Sequence, residues 1–144
     1  MKRFLTFLTT LLLTVTTILA TNLNEFQYVF IRHQNDAPKD IEARLIKEFD
    51  KLGFVVLSEK EFNDLDEELR IITLTAEYFC RQSAMCLFKI KLISKDEEIV
   101  YEDEQVAAAG FMTYKNDRQS AIKKIFKQLK KMNYKFSSHE STEE

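Results

Sequence analysis

Backbone-breaking residues are nearly missing from this chain. Its 144 residues include two glycines, one proline, two cysteines and two histidines, and tryptophan is absent. Two glycines cannot build a Gly-rich phosphate loop. Neither a P-loop nor a G-x-S-x-G or G-x-G-x-x-G pattern occurs. With only His33 and His139, a His-rich zinc site is excluded, and a histidine-based triad would need one of those two. No catalytic group, cofactor or metal site is therefore expected. The Asn-x-Ser/Thr glycosylation signal is also absent. So few breakers predict regular elements joined by short polar turns.

What is present is a globular composition, 45% hydrophobic and 31% charged, in a length that suits one domain. The formal charge is −2, from 21 basic and 23 acidic residues. A mildly acidic chain gives no electrostatic reason to bind nucleic acid.

The first twenty residues differ from the rest. Lys2 and Arg3 precede an apolar, Thr-diluted run from Phe4 to Ala20. Two cations before a short apolar stretch match a cleavable secretory signal over residues 1–20. The run is shorter than the ~20 apolar residues that span a bilayer comfortably. Membrane contact is expected only if that segment stays uncleaved. With no cysteine near Ala20, a lipoprotein anchor is not expected. The chain thus reads as an exported protein of the periplasm or extracellular space, with one domain over 21–136 and a polar tail over 137–144.

Periodicity gives the order β-α-β-β-β-β-α. Residues 25–32 read as a strand, apolar on both faces. Residues 36–52 read as a helix: Asp36 is a candidate N-cap, Pro38 lies in the first turn, and Gly53 terminates it. Its apolar stripe is Ile41, Leu45, Phe49 and Leu52. Residues 54–57 read as a buried strand, which makes the first β-α-β unit parallel. Ser58 and Glu61 predict a capped helical turn. Strands are predicted over 69–80, 86–93 and 99–106 as an antiparallel meander. Glu102, Asp103 and Glu104 suit an exposed edge protected by charge. Residues 106–115 fit no element. A second helix is predicted over 117–132, with Ile122, Ile125, Phe126, Leu129 and Met132 inward and a lysine-rich outer face. An α+β domain follows: one mixed, mostly antiparallel sheet with two helices packed on it.

Two features carry chemistry. Cys80 and Cys86 flank a short hairpin loop. Pairing them directly would align Tyr78 with Phe88, Ala76 with Ile90 and Leu74 with Leu92 on one face, which predicts a disulfide in an oxidising compartment. The short closed loop would stabilise the fold by roughly 2 kcal/mol. His33 and Asp36 lie in a strand-to-helix loop, where α/β folds often contact ligands.

Two segments resemble a known family. The run from Phe49 to Ser58, Phe-Asp-Lys-Leu-Gly-Phe-Val-Val-Leu-Ser, continues to Phe62 and Leu65. It resembles the helix–strand–turn of TolB N-terminal-like and curli-assembly (CsgG-like) periplasmic domains. The run from Lys89 to Tyr101 is similar to the hairpin of the same families, although Asp96-Glu97-Glu98 stands where those families usually turn through Thr-Gly. The resemblance covers residues 26–132. It implies a non-catalytic cell-envelope domain that acts through protein–protein contacts. The alternative expectation is a secreted small-ligand carrier or hydrolase, with a pocket lined by Phe26, Tyr28, Phe79, Phe88 and Tyr101.

Overall fold

The computed structural model describes residues 23–108 and 114–137. The expected export signal, the junction at 109–113 and nearly all of the polar tail lie outside those residues.

The first strand, β1, is Tyr28–Ile31, shorter than the 25–32 expected. Helix α1 follows at Lys39–Leu52. It starts three residues later than Asp36 predicts, because Pro38 has an extended ψ of 131° and itself takes the N-cap position. Asp36 is left exposed in the preceding turn. At the other end Gly53 adopts φ 101°. Its N–H donates to the Asp50 carbonyl, and the Phe54 N–H to that of Phe49, the paired bonds of a Schellman termination.

Strand β2 is Val55–Leu57. Two one-turn helices come next, α2 at Glu59–Asn63 and α3 at Glu67–Ile71. The expected capping box opens α2, with Ser58 N–H donating to Glu61 Oε2 at 2.8 Å. Helix α3 overturns the expectation of strand from residue 69. Asp66 accepts the Leu69 N–H at 2.9 Å and Glu67 and Glu68 fill the first turn, so local capping outcompetes the apolar alternation of Leu69 to Ile72.

Strands β3 (Thr73–Gln82), β4 (Met85–Ile93) and β5 (Ile99–Ala108) form the antiparallel meander. Helix α4, Tyr114–Lys131, begins three residues before its predicted start. Of residues 106–115, which fitted no element, 106–108 end β5 and 114–115 begin α4.

The sheet order is β2-β1-β3-β4-β5, with β1 parallel to both of its neighbours. Side-chain alternation assigns its faces. Val29, Ile31, Leu74, Ala76, Cys86, Phe88, Ile90 and Leu92 are buried beneath α1 and α4, which pack against each other on one side. At the centre Phe49 meets Phe54 edge-on at 5.8 Å and Phe126 at 4.9 Å. Among the described residues the opposite side carries only α2 and α3. There Phe62 stacks on Phe30 at 4.1 Å, and Arg70 lies over the Phe62 ring.

The hairpin register corrects the direct pairing of the cysteines. Cys80 faces Phe88 and Cys86 faces Gln82, so Tyr78 pairs with Ile90 and Ala76 with Leu92. The inward set is unchanged, because a shift of two residues preserves the face on which each side chain lies. Parity therefore could not choose between the two registers. The turn decides: Ser83 N–H donates to the Met85 carbonyl at 3.0 Å, closing the hairpin two residues tighter.

After α4 the chain runs back along the N-terminal segment. Tyr134 stacks on Phe54 and its hydroxyl donates to the Phe26 carbonyl, while Ser137 N–H donates to the Asn24 carbonyl. Among the described residues no helix is long and apolar enough to cross a membrane.

Two substitutions test the backbone assignments. Gly53→Ala should lower unfolding free energy by about 1 kcal/mol, because the cost is the positive φ and not a clash: the nearest atom to an added Cβ would be 3.9 Å away. Glu97 sits at φ 62° in the β4–β5 turn, so Glu97→Gly should raise stability by roughly 0.5–1 kcal/mol. Urea unfolding of the two variants measures both.

Candidate functional site

Polar side chains converge where β1 ends and α1 begins. Glu42 stands one position from Ile41, at the border of the apolar stripe of α1. Its Oε1 accepts from three donors. The Tyr78 hydroxyl on β3 lies 3.0 Å away, His33 Nδ1 lies 2.7 Å away, and the Gln34 N–H lies 3.4 Å away. Gln34 Nε2 also donates to the Tyr78 carbonyl. With a carboxyl oxygen opposite it, Nδ1 is a ring nitrogen that carries hydrogen. Burial, and then the bond and charge of Glu42, push the Tyr78 phenol well above its ordinary pKa, so it remains a donor.

His33 borders a groove of about 260 Å³ at the carboxyl ends of β1 and β2, shared with Phe30, Leu57 and Ser58. This is the end of a parallel strand pair at which α/β folds often hold ligands. Of the two loop residues nominated from sequence, the structure brings His33 into this cluster and leaves Asp36 outside it. Glu42, Tyr78 and Gln34 were not foreseen as its partners. One signal was available for Tyr78: an inward-facing tyrosine needs a hydrogen-bond partner for its hydroxyl.

A second polar junction joins the two long helices. Arg118 Nη2 lies 2.7 Å from Asp40 Oδ1 and its Nε 3.4 Å from Oδ2, while Gln119 Nε2 donates to Oδ2 at 3.0 Å. Burial alone would raise the Asp40 pKa. The bonds from Arg118 and Gln119 and the guanidinium charge outweigh it, and the carboxyl titrates below its ordinary 3.8. Asp117, next to Arg118, is 2% exposed.

Cys80 and Cys86 lie on the helix-covered face, diagonal to each other, with their sulfurs 3.9 Å apart and both thiols free. The acidic run on β5 divides as a strand must. Glu102 and Glu104 stand opposite Lys91 and Lys89 on the face away from the long helices, where Lys89 pairs with Glu102. Asp103 faces the other way and accepts the Tyr101 hydroxyl at 3.2 Å.

The five aromatics nominated as a pocket lining do not converge. Phe88 and Phe26 are buried in the core, while Phe79 is exposed on the opposite side of the sheet. A groove of about 410 Å³ does exist on the face that carries α2 and α3, but Phe62 supplies its aromatic wall. Among the described residues no group of three or more His, Cys, Asp or Glu side chains is placed to hold a metal ion.

These features define an α+β domain with a five-stranded mixed sheet covered by long helices on one side only. No family model and no curated protein matches the chain. A solved PelC dodecamer from Paraburkholderia phytofirmans is similar in structure at 11% sequence identity and a TM-score of 0.48, over 73% of this chain and 90% of that one.

The Asp40–Arg118 junction has a definite pH dependence. Because Asp40 titrates lower folded than unfolded, it contributes stability above its unfolded pKa and loses that contribution as pH falls through the folded value, below 3.8. Asp40→Asn should cost about 1.5–3 kcal/mol near neutral pH. The variant should also show a shallower loss of stability in acid than the parent, as read by urea midpoints at pH 7 and pH 3.

Proposed function

We propose that this chain is an exported, non-catalytic domain of the cell envelope that binds another protein through the face of its sheet opposite the two long helices. One observation carries the reading. Phe79 and Met85 are each 53% exposed and Val106 is 41% exposed, all on that face. The register makes them neighbours: half-buried Leu87 lies directly opposite Val106, Met85 is two residues along the same strand, and Phe79 is diagonal to Leu87. A contiguous apolar patch rimmed by Arg81, Lys89 and Glu104 has the layout of an interaction surface, with an apolar centre and a polar border. The cationic start and short apolar run of residues 1–20 support the exported address, and the likeness to periplasmic domains supports the envelope.

A small-ligand carrier is the second reading, favoured by the groove on the same face. Arg32, Arg70, Lys91 and Lys95 line it, which suits an anion. It ranks second because three of those cations are already engaged. Arg32 pairs with Glu77, Lys95 pairs with Glu67, and Arg70 donates to the carbonyls of Leu65 and Asn63.

Photo-crosslinking in the native host tests the docking face. A photoreactive residue at Phe79 should give one discrete protein adduct, whereas the same residue at exposed Lys127 on α4 should give none. Phe79→Lys, introduced alongside a photoreactive residue at Leu87, should abolish the adduct without shifting the melting temperature. Equal labelling from positions 79 and 127, or no adduct from 79, would overturn the proposal.

A further inference from the structure

The two cysteines are close together but unequal in access. Cys86 is fully buried, whereas Cys80 is only half-buried. Their sulfurs stand 3.9 Å apart across a diagonal of the β3–β4 ladder. Diagonal neighbours in an antiparallel pair remain within side-chain reach. Arg118, fixed by Asp40, acts electrostatically on both sulfurs, and Asp117 acts on Cys86, so the N-terminal part of α4 sits over the pair.

We propose that Cys80 and Cys86 are an oxidation site that closes in a fixed order, with Cys80 taking the incoming oxidant and Cys86 completing the bond. Thiol–disulfide exchange requires a thiolate to approach a disulfide sulfur, and only Cys80 can meet one that arrives from solvent. The oxidant is a disulfide of the glutathione or oxidoreductase class. Cys80 loses its proton to solvent and its thiolate attacks one sulfur of that disulfide. The oxidant's S–S bond breaks, and one thiolate departs and takes up a proton. Cys86 then loses its own proton and attacks the Cys80 sulfur. The Cys80–Cys86 bond forms as the mixed disulfide breaks and releases the second thiol. The chain gives up two electrons and two protons, and the oxidant is reduced to two thiols.

Burial pushes the Cys80 thiol up to about 12, with the neighbouring Cys86 adding to the effect, and burial raises Cys86 as well. Thiolate is therefore scarce near neutrality, and closure should be slow there and faster as pH rises. The offset register has its own consequence. The bridge would run diagonally across the ladder, because the residue directly opposite Cys80 is Phe88.

The test uses the reduced, folded, full chain and glutathione disulfide, followed by intact mass and thiol counting under denaturing conditions. The parent should lose two hydrogens and both thiols. Cys86→Ser should stop with one glutathione bound to Cys80, and Cys86→Ala, which suits an apolar site, provides the same readout if the serine variant does not fold. Cys80→Ser should keep a free thiol while folded and react only once unfolded. Glutathionylation of Cys80→Ser as fast as Cys86→Ser would overturn the order. Two free thiols in the treated parent, or a disulfide-linked dimer, would overturn the site. None of these outcomes depends on the docking partner proposed above.

Discussion

The fold turns on a single aromatic contact, the Phe49 ring wedged edge-on against Phe54 and Phe126. Phe49 lies in the last turn of α1, Phe54 directly before β2, and Phe126 on α4, so one buried side chain joins two consecutive elements to a helix far along the chain. Gly53 makes the arrangement possible. Its left-handed conformation turns the chain sharply enough for Phe54 to come back against the helix it has just left. Tyr134 then stacks on Phe54 and ties the end of the described chain to its beginning. Truncating a fully buried phenylalanine typically removes about 3–5 kcal/mol, a large part of the stability of a domain this size.

Placing both long helices on one side of the sheet has a consequence for the other side. A five-stranded sheet presents two faces, and the two one-turn helices shield only the end near β1 and β2. Elsewhere, among the described residues, that face is left to its own side chains. Near its middle these are charged, with Lys89 and Lys91 of β4 beside Glu102 and Glu104 of β5. Towards the β3–β4 hairpin they are apolar. The outer edge of β5 is blunted by charge. An antiparallel second copy centred on that strand would bring the 102–104 carboxylates of both chains together, and like charges in such positions oppose pairing. Among the described residues the face, rather than the edge, is left unblunted by charge near the hairpin.

The polar groups at the helix-covered end of β1 follow a different rule. Glu42 serves Tyr78, His33 and Gln34 at once, and Asp40 serves Arg118 and Gln119. Each carboxylate sits in the first turns of α1, where the helix dipole favours negative charge, and each reaches a group from an element far along the chain. These junctions fix α1 over the sheet and α4 over α1. His33 is oriented as a by-product, beside the small groove.

Local chemistry was legible without coordinates. The stripe Ile41, Leu45, Phe49 and Leu52, the stop at Gly53, the Ser58–Glu61 cap and the inward set of the meander all depend on neighbours a few residues apart, and all stand in the structure. What failed were choices between locally equivalent options. Residues 69–72 alternate like a strand, but Asp66 captures them as a helix. Hairpin parity allows two registers that bury the same side chains, and only the turn at Ser83 and Met85 selects one. The Tyr78–Glu42 bond, the Phe49–Phe126 contact and the open face of the sheet join residues tens of positions apart. No spacing in the sequence encodes them; they exist only once the long helices have come to rest on the same side. The sequence by itself thus determined most of the elements and the α+β class, because those follow from short-range periodicity and capping. Tertiary structure alone decided which side chains meet and which face stays open, because those follow from how the elements bury one another.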